Sequence, residues 1–227
     1  MKWTDIKFAH LALILISTIF LSQNTCLYSQ SSVRFQIGTS VPISKFGLYQ
    51  INEYKSNPKL GLSGSISYSY MFTESNFGLF AGFDFLYNGL NNDFKEAIEK
   101  WDDVLNAEKP NFHAYYNLPI STGLLFNYML NNALTITINS GLAFNILRIA
   151  DFDSELYKAK TELSYNLGFK AGIGVVIQER FLATIDYFGL GNHDVNGSAS
   201  IGILGRNEEI NETLNIHLLT LSMGIVF

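Results

Sequence analysis

Leu62-Ser63-Gly64-Ser65-Ile66-Ser67-Tyr68-Ser69-Tyr70-Met71-Phe72 decides the fold, because its residues alternate between two chemically different faces. Leu62, Gly64, Ile66, Tyr68, Tyr70 and Phe72 fall on one side and Ser63, Ser65, Ser67 and Ser69 on the other, the period of a β-strand. Thr73-Glu74-Ser75-Asn76 makes a turn. The partner stretch then sets Phe77, Leu79, Ala81, Phe83, Phe85 and Tyr87 against Gly78, Phe80, Gly82, Asp84, Leu86 and Asn88. In a water-soluble sheet the polar face meets water and carries charges among its small residues. Here that face is Ser, Gly and Asn with a rare charge, the composition of a sheltered lumen. The large apolar side chains are then left to face lipid, the arrangement of a closed transmembrane barrel.

The same two-faced pattern recurs outward from this hairpin. Val33, Phe35 and Ile37 oppose Arg34, Gln36 and Gly38. From about Phe112 to Tyr128, Tyr116, Leu118, Ile120, Leu124 and Phe126 oppose Tyr115, Asn117, Pro119, Ser121 and Gly123, with a local irregularity expected at Pro119 because proline lacks a ladder donor. Leu134 to Ile146, Leu163 to Ile177 and Phe181 to Tyr187 alternate likewise, and Leu219, Leu221, Met223, Ile225 and Phe227 oppose Thr220, Ser222 and Gly224 at the end of the chain. The connections at 73–76, 131–133 and 178–180 are short, while those at 42–58, 92–111, 152–160 and 194–213 are long, and the two kinds alternate strictly. Outer-membrane barrels have this segregation of short periplasmic turns from long extracellular loops. The expected fold is therefore all-β, an eight-stranded antiparallel up-and-down transmembrane β-barrel, whose closure leaves no backbone edge in hydrocarbon.

Residues 1–29 read as a cleaved signal peptide, with Lys2 and Lys7 before an apolar run from Phe8 to Leu21 that is too short to span a bilayer, and 30–227 as the barrel domain. Cleavage between Ser29 and Gln30 removes Cys26, so the mature chain has neither disulfides nor thiolate metal sites. Of 15 basic and 20 acidic residues, Lys2, Lys7 and Asp5 leave with the signal, and the remaining charge of about −6 offers no surface for nucleic acid. The whole chain is 48% hydrophobic and only 15% charged, which sets it apart from disordered sequences.

Tyr116-Asn117-Leu118-Pro119-Ile120, Gly172-Ile173-Gly174-Val175 leading to Asp186-Tyr187-Phe188-Gly189-Leu190, and Leu221-Ser222-Met223-Gly224-Ile225-Val226-Phe227 resemble the outer-membrane β-barrel domain common in Bacteroidetes, which includes PorT-like proteins. The resemblance covers nearly all of the mature chain. It implies a Gram-negative outer membrane and carries over no site residues. The PorT-like subset is associated with protein secretion across that membrane.

An eight-stranded barrel is just wide enough to be filled by side chains or to hold a small ligand. Four charges fall on the luminal parity, Arg34, Asp84, Lys170 and Asp186, and they are expected to pair and plug the interior; a polar conduit or small-solute site is the alternative. Residues 92–106 can form a helix with Phe94, Ile98, Trp101 and Leu105 on one side, a candidate lid or docking element. The stretch 194–213, polar and acidic at Glu208, Glu209 and Glu212, reads as a surface loop. His113, His193 and His217 fall toward the extracellular strand ends without any fixed-spacing nucleophile motif and read as interfacial or loop histidines. The expected protein is a monomeric, non-enzymatic barrel without cofactor, in contact with outer-membrane lipid and open to a protein partner through its extracellular loops. A narrow channel, a component of an export apparatus and a soluble lipocalin-like binder are the competing readings.

Overall fold

The computed structural model describes residues 31–47, 58–90, 114–153, 157–201 and 206–227. The signal segment 1–29, the 92–106 helix with Phe94, Ile98, Trp101 and Leu105, and His113 lie outside the described residues. Ten strands follow in chain order: β1 (Ser31–Pro42), β2 (Gly61–Met71), β3 (Phe77–Gly89), β4 (Ala114–Asn131), β5 (Leu134–Ile149), β6 (Phe152–Asp153), β7 (Tyr157–Thr161), β8 (Ser164–Ile177), β9 (Phe181–Ile201) and β10 (Arg206–Val226). One four-residue helical turn, α1 (Ser44–Gly47), follows β1.

Eight of the strands close a ring, β1-β2-β3-β4-β5-β8-β9-β10, in which every neighbour is antiparallel and β10 returns to β1 with Phe35 opposite Ile225. The face assignment read from alternation holds around the ring. Ile37, Leu142, Ile173 and Met223 are 77%, 58%, 51% and 73% exposed, whereas Arg34, Asp84, Lys170 and Asp186 are all buried. A soluble barrel would have the reverse.

The short turns close tightly at one end. Glu74, Gln178 and Glu179 take left-handed backbone angles (φ 56°, 51° and 56°) there. Pro119 opens the β3–β4 ladder without shifting it. Pairing runs to Phe83 opposite Ile120 and resumes at Leu86 opposite Asn117 in the same register, while Pro119 keeps its place opposite Asn145 on β5.

Two expectations are corrected at the other end. Residues 194–201 and 206–213 are strand and not loop, because β9 continues to Ile201 and β10 begins at Arg206, paired residue by residue from Arg206 opposite Ile201 downward. Nor is 152–160 loop alone, since β6 and β7 form a small hairpin whose second strand pairs with Gly197–Ile201 of β9. The physical reason lies in cross-strand pairs on the outer face, Thr213 to Asp194 at 2.9 Å and Asn215 to Asn192, together with Val195, Ala199 and Leu214 buried on the inner face.

Candidate functional site

The lumen divides into layers. Near the short turns Phe80, Leu125, Val176 and Leu182 point inward and are buried. Above them is a polar layer of Ser, Thr, Asn and the four charges. Toward the long connections the interior becomes apolar again, with Leu86, Leu147, Phe188, Leu190, Ile216 and Leu218 in one cluster. Phe46 of α1 enters this cluster from the mouth, its ring edge-on to Tyr115 at 5.4 Å.

The charges predicted for the lumen all reach the polar layer, but they do not meet equally. Lys170 Nζ donates to both oxygens of Asp84, at 3.0 and 3.1 Å, and Ser121 Oγ donates to the same carboxylate at 3.2 Å. The ammonium also sits 4.8 Å from the centroid of the Phe188 ring, a cation–π contact. Asp186 accepts from Asn139 Nδ2 at 3.1 Å and acts electrostatically on both Lys170 and Arg34. Arg34 Nη1 reaches Thr137 Oγ1 at 3.4 Å, and its Nε has no partner among the described residues. The four formal charges cancel, as charges sharing a low-dielectric space must if they are to stay ionised.

A second polar network was not foreseen. Gly191, at φ +79°, marks a β-bulge: Gly189 pairs with His217 but Gly191 with Ile216, so Leu190 is the extra residue. The bulge reverses the parity of everything above it and turns His193 inward, which corrects its reading as a loop or interfacial histidine. The buried ring bonds Ser164 Oγ through Nδ1 at 3.1 Å and Asn145 Nδ2 through Nε2 at 3.0 Å, and Asn145 in turn donates to Asn117 Oδ1 at 2.8 Å. Both ring nitrogens of His193 are thus engaged by neighbouring polar side chains. The signal in the sequence was the small, conformationally free Gly189-Leu190-Gly191 inside an otherwise regular strand. His217 stays on the outer face, where Tyr187 Oη lies 2.6 Å from its Nδ1.

The ladder between β8 and β9 is interrupted at this height. It runs from Ile177 opposite Phe181 to Phe169 opposite Gly189 and stops, and β9 is next paired on this side by β7, with Thr161 opposite Gly197. Within the gap Glu162 N donates to Asn196 O at 2.9 Å and Asn166 Nδ2 to Leu190 O at 3.1 Å, so a side chain takes over part of the work of the backbone.

No family model matches the chain, and no curated protein matches it. Solved structures do. A major outer membrane protein from Thermus thermophilus is 12% identical, with a TM-score of 0.55 over 88% of this chain and 99% of that one. The outer membrane protein OprG from Pseudomonas aeruginosa is 16% identical, with a TM-score of 0.50 over 87% of this chain and 95% of that one. At these identities the likeness is one of fold.

Proposed function

We propose that this protein is a small integral outer-membrane β-barrel, monomeric and non-enzymatic, whose lumen is closed by its own side chains and which acts through the elements raised beyond the membrane. The observation that carries the reading is the pairing of faces. A belt of exposed Leu, Ile, Phe and Tyr surrounds a lumen whose charges are buried and bonded across it, with apolar layers above and below. Such an exterior suits hydrocarbon around it, and the charges bonded across the lumen beneath an apolar cluster support a closed interior. The lipid-facing tyrosines support it too: Tyr87 and Tyr116 pack at 5.4 Å, and Phe144 stacks on Tyr165 at 6.2 Å, at the height where an interfacial girdle belongs. The motifs at 116–120, 172–175 and 221–227 support kinship with the Bacteroidetes barrels, and export through a cleaved signal at 1–29 accords with that location.

A second reading, a narrow conduit, draws on Arg34 Nε, Ser65 Oγ and Asn139 Oδ1, buried polar atoms without partners that call for water in the polar layer. Planar-bilayer conductance of the purified protein, with folding checked by the heat-dependent gel shift of intact barrels, separates the two. Folded protein without unitary conductance is the expected result. Steady ion current would turn Arg34, Asp84, Lys170 and Asp186 into pore-lining residues and replace the closed-lumen reading.

A further inference from the structure

We infer that the polar layer between Arg34 and Asn139 is a binding site for enclosed water, which links the Arg34 guanidinium through Asn139 to the Asp186 carboxylate. The inference rests on the closed-lumen reading above, since water in a conduit would be part of the bulk.

The site is assembled from three strands and one long side chain. Asn139 on β5 stands opposite Gly172 on β8, and Gly172 stands opposite Asp186 on β9. A Cβ at Gly172 would collide with both the Asp186 carboxylate and the Asn139 amide, so the glycine is what lets Asn139 Nδ2 reach across to Asp186 Oδ1 at 3.1 Å. That bond fixes which way the amide points, because an ionised carboxylate accepts only from the nitrogen end. Asn139 Oδ1 is therefore turned away from Asp186. Arg34 comes from β1 on the far side and bonds Thr137 Oγ1 through Nη1 at 3.4 Å, two residues from Asn139 on the same inward face of β5.

Two atoms are left over at this meeting point. Arg34 is only 7% exposed, and neither its Nε nor Asn139 Oδ1 has a hydrogen-bond partner among the described residues. Their neighbours are already engaged, Gln36 with Thr184 Oγ1 at 2.8 Å and Asp84 with Lys170 and Ser121. Among the described residues no ion pair joins Arg34 to Asp186, although the carboxylate acts on the guanidinium electrostatically.

The chemistry of the two atoms selects the occupant. An anion would suit the Arg34 N–H but lie against Asn139 Oδ1 and Asp186; a metal cation would suit the oxygens but lie against Arg34. The four luminal charges cancel, so the layer attracts neither. Water accepts from the one and donates to the other, and a buried water makes about three hydrogen bonds to groups otherwise unsatisfied. Ser65 Oγ, also without a partner, lies on β2 opposite Gln36 and offers another. The Lys170–Asp84 pair and the apolar cluster lie above the site and Phe80, Leu125, Val176 and Leu182 below it, which encloses the water.

The test uses the full folded barrel in phosphatidylcholine nanodiscs, with nitrogen-labelled arginine, and reads rotating-frame Overhauser transfer from water to Arg34 Nε–H. Transfer should appear with the sign of water held beside the proton, opposite to that of proton exchange, and should not respond to added sodium chloride. Asn139→Leu removes the acceptor and should abolish it. Ser121→Ala, which touches only the Lys170–Asp84 pair, should leave it unchanged. A dry Arg34 Nε–H in the folded native barrel overturns the site whether or not the Asn139 variant folds. So does a resonance that titrates with chloride, which would give the guanidinium to an anion, or transfer that survives Asn139→Leu in a folded barrel. These three outcomes leave the closed lumen standing, whereas transfer accompanied by steady ion conductance would overturn the enclosed site and the closed lumen together.

Discussion

Lys170 and Asp84 meet in the lumen with side chains only 6% and 3% exposed, and the strength of their contact is set by what happens when one is removed. Lys170→Ala leaves a buried carboxylate with Ser121 as its remaining hydrogen-bond donor, a loss of about 3–5 kcal/mol by the usual measure of a broken buried pair. Replacing both partners, Lys170→Met with Asp84→Leu, removes the stranded charge and should recover most of that loss. Urea unfolding in detergent micelles reads the difference. Equal stability of Lys170→Ala and the native chain would mean that water already reaches the pair, and the closed-lumen reading would fall with it. The alternative carriers of polarity in this layer behave differently. Among the described residues Arg34 has one long hydrogen bond and an unpartnered Nε, so Arg34→Met should cost less than Lys170→Ala in the same assay.

At the scale of the strand, alternation carried the reading as far as the chemistry of the interior stayed the same. From β1 to the lower half of β9, outward residues are mostly large and apolar and the middle of the inward face is small or polar, with Phe80, Leu86, Leu125, Leu147, Val176 and Leu182 inward toward the two ends. Above Leu218 the rule inverts. Leu214, Ile216 and Leu218 point inward while Asn211, Thr213 and Asn215 point out, so this part of the wall carries polar side chains outside and a cluster of Leu and Phe within. An acidic, glycine-bearing stretch without lipid-facing residues looked like a loop; its period of two was present but lacked apolar amplitude. The Gly191 bulge was hidden for another reason, since a one-residue parity slip is invisible unless both strands are aligned to each other. That bulge and the interrupted β8–β9 ladder give a measurable outcome. Amides of Leu190–Val195 should exchange hydrogen faster than those of Phe181–Gly189, which are paired on both sides. Asn166→Ala, which deletes the bond to Leu190 O, should speed them further. Uniform protection along β9 would show that the gap is bridged.

For the whole molecule the deciding question is what surrounds the ring, and the outer face of β8 can answer it by depth. Tyr165, Leu167, Phe169, Ala171, Ile173, Val175 and Ile177 descend that face from the mouth to the short turns. If hydrocarbon covers the belt, a charge introduced there costs most at the midplane and little at the interfaces. Ala171→Arg should then destabilise the folded barrel by about 2–4 kcal/mol, and Ile177→Arg by about 0–1 kcal/mol. A barrel in water has no such profile: outward arginines would be tolerated alike, because an exposed guanidinium there meets solvent at every height. The measurement is reversible unfolding of single variants in lipid vesicles, with gel mobility as the check that each has closed. Luminal packing cannot mimic a peak centred near Ala171, since none of the substituted side chains points inward. A flat series would remove the membrane from the account while leaving the ring and its pairing intact, and the exposed Leu, Ile and Phe would then have to be covered by protein.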